Sequence, residues 1–297
     1  MEKDIETTAN KGDSLQRFLF QNADIRGEVV QLSESWQQIL ANKNYPPLIR
    51  DYLGEIMTAA VLLAATLKLD GSLTVQASGN GLLNLLVAEC RDNLSVRCVA
   101  KHHKDIPEQA SLKELLGDGN LAITIDQKNG QSYQGIVDLA GDSVAELLEN
   151  YLQTSEQLNT RIWLAADEKT CGGLLLQELP SQQSSDEEDW ERINLLANTV
   201  KADELLNLPG AEVIYRLFHQ EQVQAFVPNP VQFDCNCSHE KVTGMLRSLS
   251  QEEAREITKE EGFIEVNCEF CGKSYRYDEL ALAEIYRPKQ DDSNAIH

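Results

Sequence analysis

Apolar positions recur along this chain with two periods, one near two residues and one near 3.6. Residues 18–30 (FLFQNADIRGEVV) place apolar and β-branched side chains around a polar stretch at 21–24, which predicts strand, turn, strand. Trp36, Ile39 and Leu40 then fall at helical spacing within residues 33–41. Pro46 and Pro47 interrupt the pattern. Residues 48–69 follow as a long helix, apolar nearly all round in the second half and so expected to be buried, with Asp70-Gly71 as its stop. Strands are expected next over residues 72–77, 83–89, 95–100, 122–126 and 132–138. Between them lie Ser78-Gly79-Asn80-Gly81, Arg91-Asp92-Asn93 and Asn129-Gly130, the last a two-residue hairpin signal. Residues 143–158 predict a helix with Ser143 as N-cap and Glu146 three residues on, the capping-box pattern. Two further strands are expected over 160–166 and 172–176.

After Pro180 the pattern changes. Residues 181–189 (SQQSSDEED) carry no apolar side chain and read as a solvated loop. Short helical patterns follow over 190–200, 202–208 and 211–220, their apolar faces supplied by Leu195, Leu196, Leu205, Leu206, Ile214, Leu217 and Phe218. Helices this short are marginal in isolation and depend on tertiary contacts. Val227-Pro228-Asn229-Pro230 closes the region. Beyond it the chain predicts helices over 241–249, 251–260 and 278–286, strands over 263–266 and 275–277, and a polar tail. No internal repeat is present. The expected fold class is α+β in three parts: a large N-terminal domain of mixed sheet and helix over 1–180, a metastable helical linker over 181–230, and a small C-terminal domain over 231–297.

Composition narrows the function. The chain has 297 residues, 42% of them hydrophobic and 25% charged, as in ordinary globular proteins. Acidic residues outnumber basic ones 48 to 26, giving a formal net charge of −22. A field of that sign repels phosphate backbones and anionic lipid, so neither nucleic acid nor a membrane is an expected partner. The opening MEKDIETTANKGDS is polar, without the apolar core of a secretory leader. The apolar run at 56–69 is too short to span a bilayer and carries Lys68. The expected location is the cytoplasm, where thiols stay reduced.

Against that background the cysteines become informative. Cys90, Cys98 and Cys171 sit in apolar or Gly-rich settings and are expected as small buried hydrophobes. The other four form two close pairs, Cys235-Asn236-Cys237 and Cys268-Glu269-Phe270-Cys271, separated by residues 238–267. Two such pairs in a reduced chain suit a tetrahedral Zn²⁺ site with four thiolates, and Gly272 permits the turn after the second pair. His239 is an alternative donor, though a solvent-exposed residue at a helix start is the simpler reading. A domain this small needs a staple, so its metal would supply most of its folding free energy. No G-x-S-x-G, H-E-x-x-H or Walker pattern occurs, Gly79-Asn80-Gly81 is a turn, and His102-His103 reads as a solvated loop.

The segment from Phe233 to Lys241 (FDCNCSHEK), with Glu265 to Tyr275 (EVNCEFCGKSY), resembles the zinc centre of the redox-regulated 33 kDa heat-shock chaperone family. Gly172-Gly173-Leu174-Leu175-Leu176-Gln177 with Pro180 resembles the segment that closes that family's N-terminal domain. The resemblance covers essentially the whole chain. His239 departs from it, standing where a basic residue is expected. What the resemblance implies is an ATP-independent holdase and no enzyme. Cys235, Cys237, Cys268 and Cys271 would hold one zinc ion per chain in an inactive, reduced form. Oxidation would pair Cys235 with Cys237 and Cys268 with Cys271, release zinc and unfold the linker. The protein would then dimerise and bind unfolding clients, with Leu195, Leu196, Leu205, Leu206, Ile214, Leu217 and Phe218 as candidate client-binding surface. The rival readings are a thiol-disulfide oxidoreductase using the C-x-x-C pair and a purely structural zinc site.

Overall fold

Helix α2 (Pro47–Thr66) is the element around which the larger part of the protein is assembled. Twelve of its twenty residues are buried, on every side of its second half, so it needs apolar partners on more than one face. Pro47 at its first turn fits a position whose N–H has no helical acceptor. Gly54 lets neighbours close in: a Cβ there would stand 2.6 Å from Ala166 Cβ. The computed structural model describes residues 12–180 and 187–287. They divide into two compact units, Met1–Asp234 and Cys235–His297. Among the described residues no helix is long and apolar enough to cross a membrane.

In the first unit α2 packs against two sheets. One runs in the order β12 (Gln232–Phe233), β5 (Ser95–His102), β4 (Leu83–Arg91), β3 (Gly71–Gly79), β6 (Gly119–Gln127), β7 (Tyr133–Asp138). The other runs β10 (Val223–Ala225), β1 (Ser14–Phe20), β2 (Ile25–Leu32), β9 (Cys171–Glu178), β8 (Thr160–Ala166), with β11 (Asn229–Pro230) also on β1. Neighbouring strands are antiparallel except β12, which lies parallel to β5. The α+β class is as the sequence predicts.

The second of these sheets is apolar on both faces. Leu15, Val30, Leu32, Ile162 and Leu175 point toward α2, and the alternate residues Phe18, Ile25, Val29, Leu174 and Leu176 point the other way. Three short helices cover that outer face: α5 (Glu187–Ala197), α6 (Ala202–Asn207) and α7 (Gly210–Phe218). The Phe218 ring lies 5.7 Å from Phe18 and 5.0 Å from Phe20. Gly172 gives α6 its close approach, since a Cβ there would stand 2.2 Å from the Leu205 carbonyl. Gln31 Nε2 donates to the Leu206 carbonyl at 2.8 Å, and Trp163 Nε1 to Asn198 Oδ1 at 3.2 Å.

Several local expectations change. Asn129-Gly130 lies in a five-residue loop, 128–132, because strand pairing stops at Ile125 and Tyr133. The helix expected over 143–158 is regular only as α4 (Val144–Tyr151); residues 152–156 widen into a π turn that Gln157 ends at φ +56°. Ser143 caps it by accepting the Glu146 N–H, but the Glu146 carboxylate bonds the Asp142 N–H, not that of Ser143. The short helix α3 (Leu112–Leu116) was not expected, although Ser111 and Glu114 form its capping box. The polar run at 181–189 is described only from residue 187.

The second unit holds α8 (His239–Leu246), α9 (Gln251–Glu261), the hairpin β13 (Ile264–Asn267) and β14 (Ser274–Tyr277), and α10 (Glu279–Ile285). Its helices begin at caps that accept backbone N–H groups: Ser238, Ser250 and Asp278. Among the described residues its apolar core is seven buried side chains, Leu246, Ala254, Ile264, Tyr275, Tyr277, Leu282 and Ile285. A core that small is near the limit at which a fold needs a further staple.

Because Phe218 anchors the outer helical layer, Phe218→Ala removes a contact of about 3–5 kcal/mol. Amide hydrogen exchange over residues 187–220 should accelerate while the amides of α2 stay protected. Uniform acceleration through α2 would show that the layer is not separable from the rest.

Candidate metal centre

Cys235 and Cys237 lie in the extended segment that leads to the Ser238 cap of α8. Cys268 and Cys271 lie in the loop between β13 and β14, whose last ladder pair is Asn267 with Ser274. That loop is closed by the Cys268 N–H donating to the Lys273 carbonyl at 2.9 Å and the Gly272 N–H donating to the Cys268 carbonyl at 2.8 Å. Gly272 sits at φ +73°, a left-handed conformation that a residue with a Cβ adopts at a cost. The C-x-x-C pair thus belongs to a hairpin loop and not to a helix start, where thiol oxidoreductases place theirs.

The four sulfurs converge, all lying within 4.8 Å of one another. Cys235 Sγ is 3.6 Å from Cys268 Sγ, and Cys237 Sγ is 3.5 Å from Cys271 Sγ. Four ligands at metal–sulfur bonds of about 2.3 Å stand roughly 3.8 Å apart at the corners of a tetrahedron. The cluster therefore has the dimensions of a thiolate site, and four soft donors select for an ion of the Zn²⁺ kind. The cysteines are unbridged and half-buried.

Their environments differ. Burial pushes the Cys235 thiol up to about 12, with the backbone N–H of Cys237 working against it. Burial also opposes the Cys268 thiolate, but the backbone N–H groups of Cys271 and Phe270 together with hydrogen bonds from the Cys235 and Cys271 thiols bring that thiol down to about 7. Tyr275 Oη donates to Cys237 Sγ at 3.1 Å, a partner to which sequence reading gave no role. Its only signal was an aromatic residue in the strand just after the second cysteine pair.

The remaining candidates fall into place around this centre. His239 is exposed at the first turn of α8, with its ring edge-on to Tyr275 at 4.8 Å and Nδ1 3.3 Å from Tyr277 Oη. It is not part of the sulfur cluster. Cys90, Cys98 and Cys171 are buried, at 0%, 1% and 0% exposure, and burial raises all three thiols, Cys90 to about 12. Of the linker residues, Leu205, Ile214, Leu217 and Phe218 are buried against the outer sheet face and Leu196 and Leu206 pack beside them, whereas Leu195 is 69% exposed. Gly79 and Gly81 let the Leu116 carbonyl approach the turn, which accounts for that pair without a phosphate.

Residues 13–278 match a family model described as Hsp33 protein. The 33 kDa chaperonin of Nitrosococcus oceani is 47% identical over 277 residues, 93% of this chain and 95% of that one. The 33 kDa chaperonin of Vibrio cholerae is 41% identical over 287 residues, 95% and 98% of the two chains. The crystal structure of the 33 kDa chaperonin (heat shock protein 33 homolog) from Thermotoga maritima covers 92% of this chain and 97% of its own, with a TM-score of 0.79 at 22% identity, a likeness of fold.

Cys268→Ser should reduce bound metal far below the parent level, because it removes one of the four converging sulfurs. His239→Ala should leave metal content unchanged. Elemental analysis after desalting checks both, and tight, full occupancy in Cys268→Ser would place Cys268 outside the ligand set.

Proposed function

This chain belongs to the Hsp33 family of chaperones, and from that premise we propose that it is a redox-regulated holdase working without nucleotide. The observation that carries the reading is a pairing within one chain. A four-thiol cluster lies in a unit with a seven-residue core, and short apolar helices cover an apolar sheet face just upstream.

In the reduced form Cys235, Cys237, Cys268 and Cys271 hold one Zn²⁺ per chain. The ion, when bound, cross-links residues 235–237 to the β13–β14 loop, a bond of the order of 10–16 kcal/mol in zinc-finger peptides. The thiolates are also the reactive groups. Peroxide takes two electrons from each cysteine pair: its O–O bond breaks, one S–S bond forms and two hydroxides leave. Pairing Cys235 with Cys237 and Cys268 with Cys271 closes loops of three and four residues and joins neither pair to the other. Such bridges remove little chain entropy, so they cannot replace the cross-link that the thiolates gave up. Residues 235–287 then unfold.

The effect passes along the chain. Immediately before Cys235, residues 223–234 are stitched to the sheet edges through β10, β11 and β12. Asp234 is held by Arg91, at 2.6 Å between Oδ2 and Nη1, with the Asp234 carbonyl 3.1 Å from Nη2. An exposed ion pair of this kind is weak, worth about 0–1 kcal/mol. Once a disordered chain pulls at this end, the two- and three-residue strands and then α7, α6 and α5 lose their hold. Their departure uncovers Phe18, Phe20, Ile25, Val29, Leu174 and Leu176 together with the apolar faces of the helices. Apolar surface of that extent binds either a second copy of the chain or an unfolding client. The net charge of −22 keeps such a form dispersed. Free thiols at the centre suit a reducing cytoplasm in which oxidant is the exception.

Light scattering of a heat-denaturing model client should be suppressed by the peroxide-oxidised protein and not by the reduced one at equal concentration, with sedimentation shifting from monomer to dimer. Equal suppression by both forms would refute redox control, and suppression by neither would remove the holdase reading. Limited proteolysis should find cleavage of the oxidised protein concentrated after residue 187, while residues 14–178 resist. Cuts spread evenly over β1 to β9 would mean global unfolding instead.

A further inference from the structure

Tyr275 occupies the second position of β14, paired with Val266, and is 1% exposed. A buried phenol needs a partner for its hydroxyl, and here that partner is Cys237 Sγ at 3.1 Å. When Cys237 is a metal-ligating thiolate it has no proton, so the hydroxyl must be the donor. Two neighbours fix the ring. His239 meets it edge-on at 4.8 Å between centroids and is itself held by Tyr277 Oη, 3.3 Å from Nδ1. Lys273 Nζ stands over the ring, 5.2 Å from its centre.

We propose that Tyr275 is a positioning residue of the centre: its hydroxyl bond holds the Cys237 thiolate in the ligand arrangement and blunts its attack on peroxide. A donor to a ligating atom fixes that ligand's orientation and raises the site's hold on its metal. The same bond takes charge from the sulfur. In the oxidation step the Cys237 sulfur attacks one peroxide oxygen, the S–O bond forms as the O–O bond breaks, and a sulfenic acid and hydroxide result. A lone pair stays free to attack, but the hydrogen bond draws charge from the same sulfur and so slows the step. His239 thereby gains a role as a support for the Tyr275 ring. Only the peroxide arm of this inference rests on the redox reading above.

Tyr275→Phe keeps the ring and its contacts with His239 and Lys273 and deletes the hydroxyl alone. Full-length, zinc-loaded protein is titrated with a chelator, and Tyr275→Phe should surrender zinc at about tenfold lower chelator concentration than the parent. In a parallel peroxide time course, differential alkylation with peptide mass spectrometry should show Cys237 lost several-fold faster. Tyr277→Phe, which removes a hydroxyl bonded to His239 and not to sulfur, reaches the centre only through the support of the ring and should shift both assays far less than Tyr275→Phe. Thermal unfolding in excess zinc verifies that the variants are folded. A Tyr275→Phe protein indistinguishable from the parent, or a Tyr277→Phe protein equally impaired, overturns the proposal, since ring packing would then account for everything. A parent whose thiols resist peroxide defeats the redox reading instead, and the chelator titration alone then decides the role of Tyr275.

Discussion

Four sulfur atoms within 4.8 Å of one another are the constraint on which the rest of this protein turns. They belong to two segments far apart in sequence, and the unit that contains them has a core of seven buried residues. Capped helices and one four-residue hairpin bring local order to that unit, but local order at this size does not offset the entropy of fixing the chain. A metal held between the two cysteine pairs, as proposed above, would supply what the core lacks. On that reading the fold of residues 235–287 would depend on the chemical state of the sulfurs in a way that the first unit does not.

The first unit solves the opposite problem. Its sheet from β10 to β8 has two apolar faces and so needs two covers, of very different quality. On one side lies α2, twenty residues long and buried along its second half. On the other lie α5, α6 and α7, of eleven, six and nine residues. Helices shorter than about 12–15 residues are marginal in water, so these three persist through what they touch. Removing the outer cover leaves the α2 core intact and a complete apolar face open. On the proposed holdase reading, a poor cover over a sound scaffold would keep such a face hidden and make it available on demand.

Period and spacing made most of this legible in the sequence. The apolar run of α2, the alternation of β3 to β7 and the three short helices after residue 186 all follow from where hydrophobic side chains recur. The C-x-C and C-x-x-C pairs announce a shared ligand set because no other arrangement brings four thiols together so economically. What escaped has physical reasons. Strands β10, β11 and β12 have two or three residues each, too few to show a period, and only their partners define them. The docking face for α5 to α7 was hidden because Leu174, Leu175 and Leu176 read as one apolar run, and alternation divides them between two cores only once the sheet is built. The composition break at Pro180 sets the helical segment apart along the chain, yet in space its contacts run to β1, β2, β8 and β9. Tyr275 carries no motif of its own; its role depends on a loop turning at Gly272 so that the strand after it passes beneath Cys237.

The seven cysteines complete the division of labour. Burial decides their reactivity, since the thiolate is the form that oxidants attack. Cys90, Cys98 and Cys171 lie in the α2 core at or near zero exposure, and desolvation raises each thiol far enough to keep it protonated. The four at the centre are half-buried and unlike one another: burial pushes Cys235 up to about 12, while backbone N–H groups and the Cys235 and Cys271 thiols bring Cys268 down to about 7. On the redox reading proposed above, an oxidant would find accessible sulfur, Cys268 foremost, at the small unit's centre and protected sulfur in the α2 core. Histidine or carboxylate ligands would hold a metal as well but would not couple its loss to peroxide. Thiolates would, because the ligand and the target of the oxidant would be the same atom.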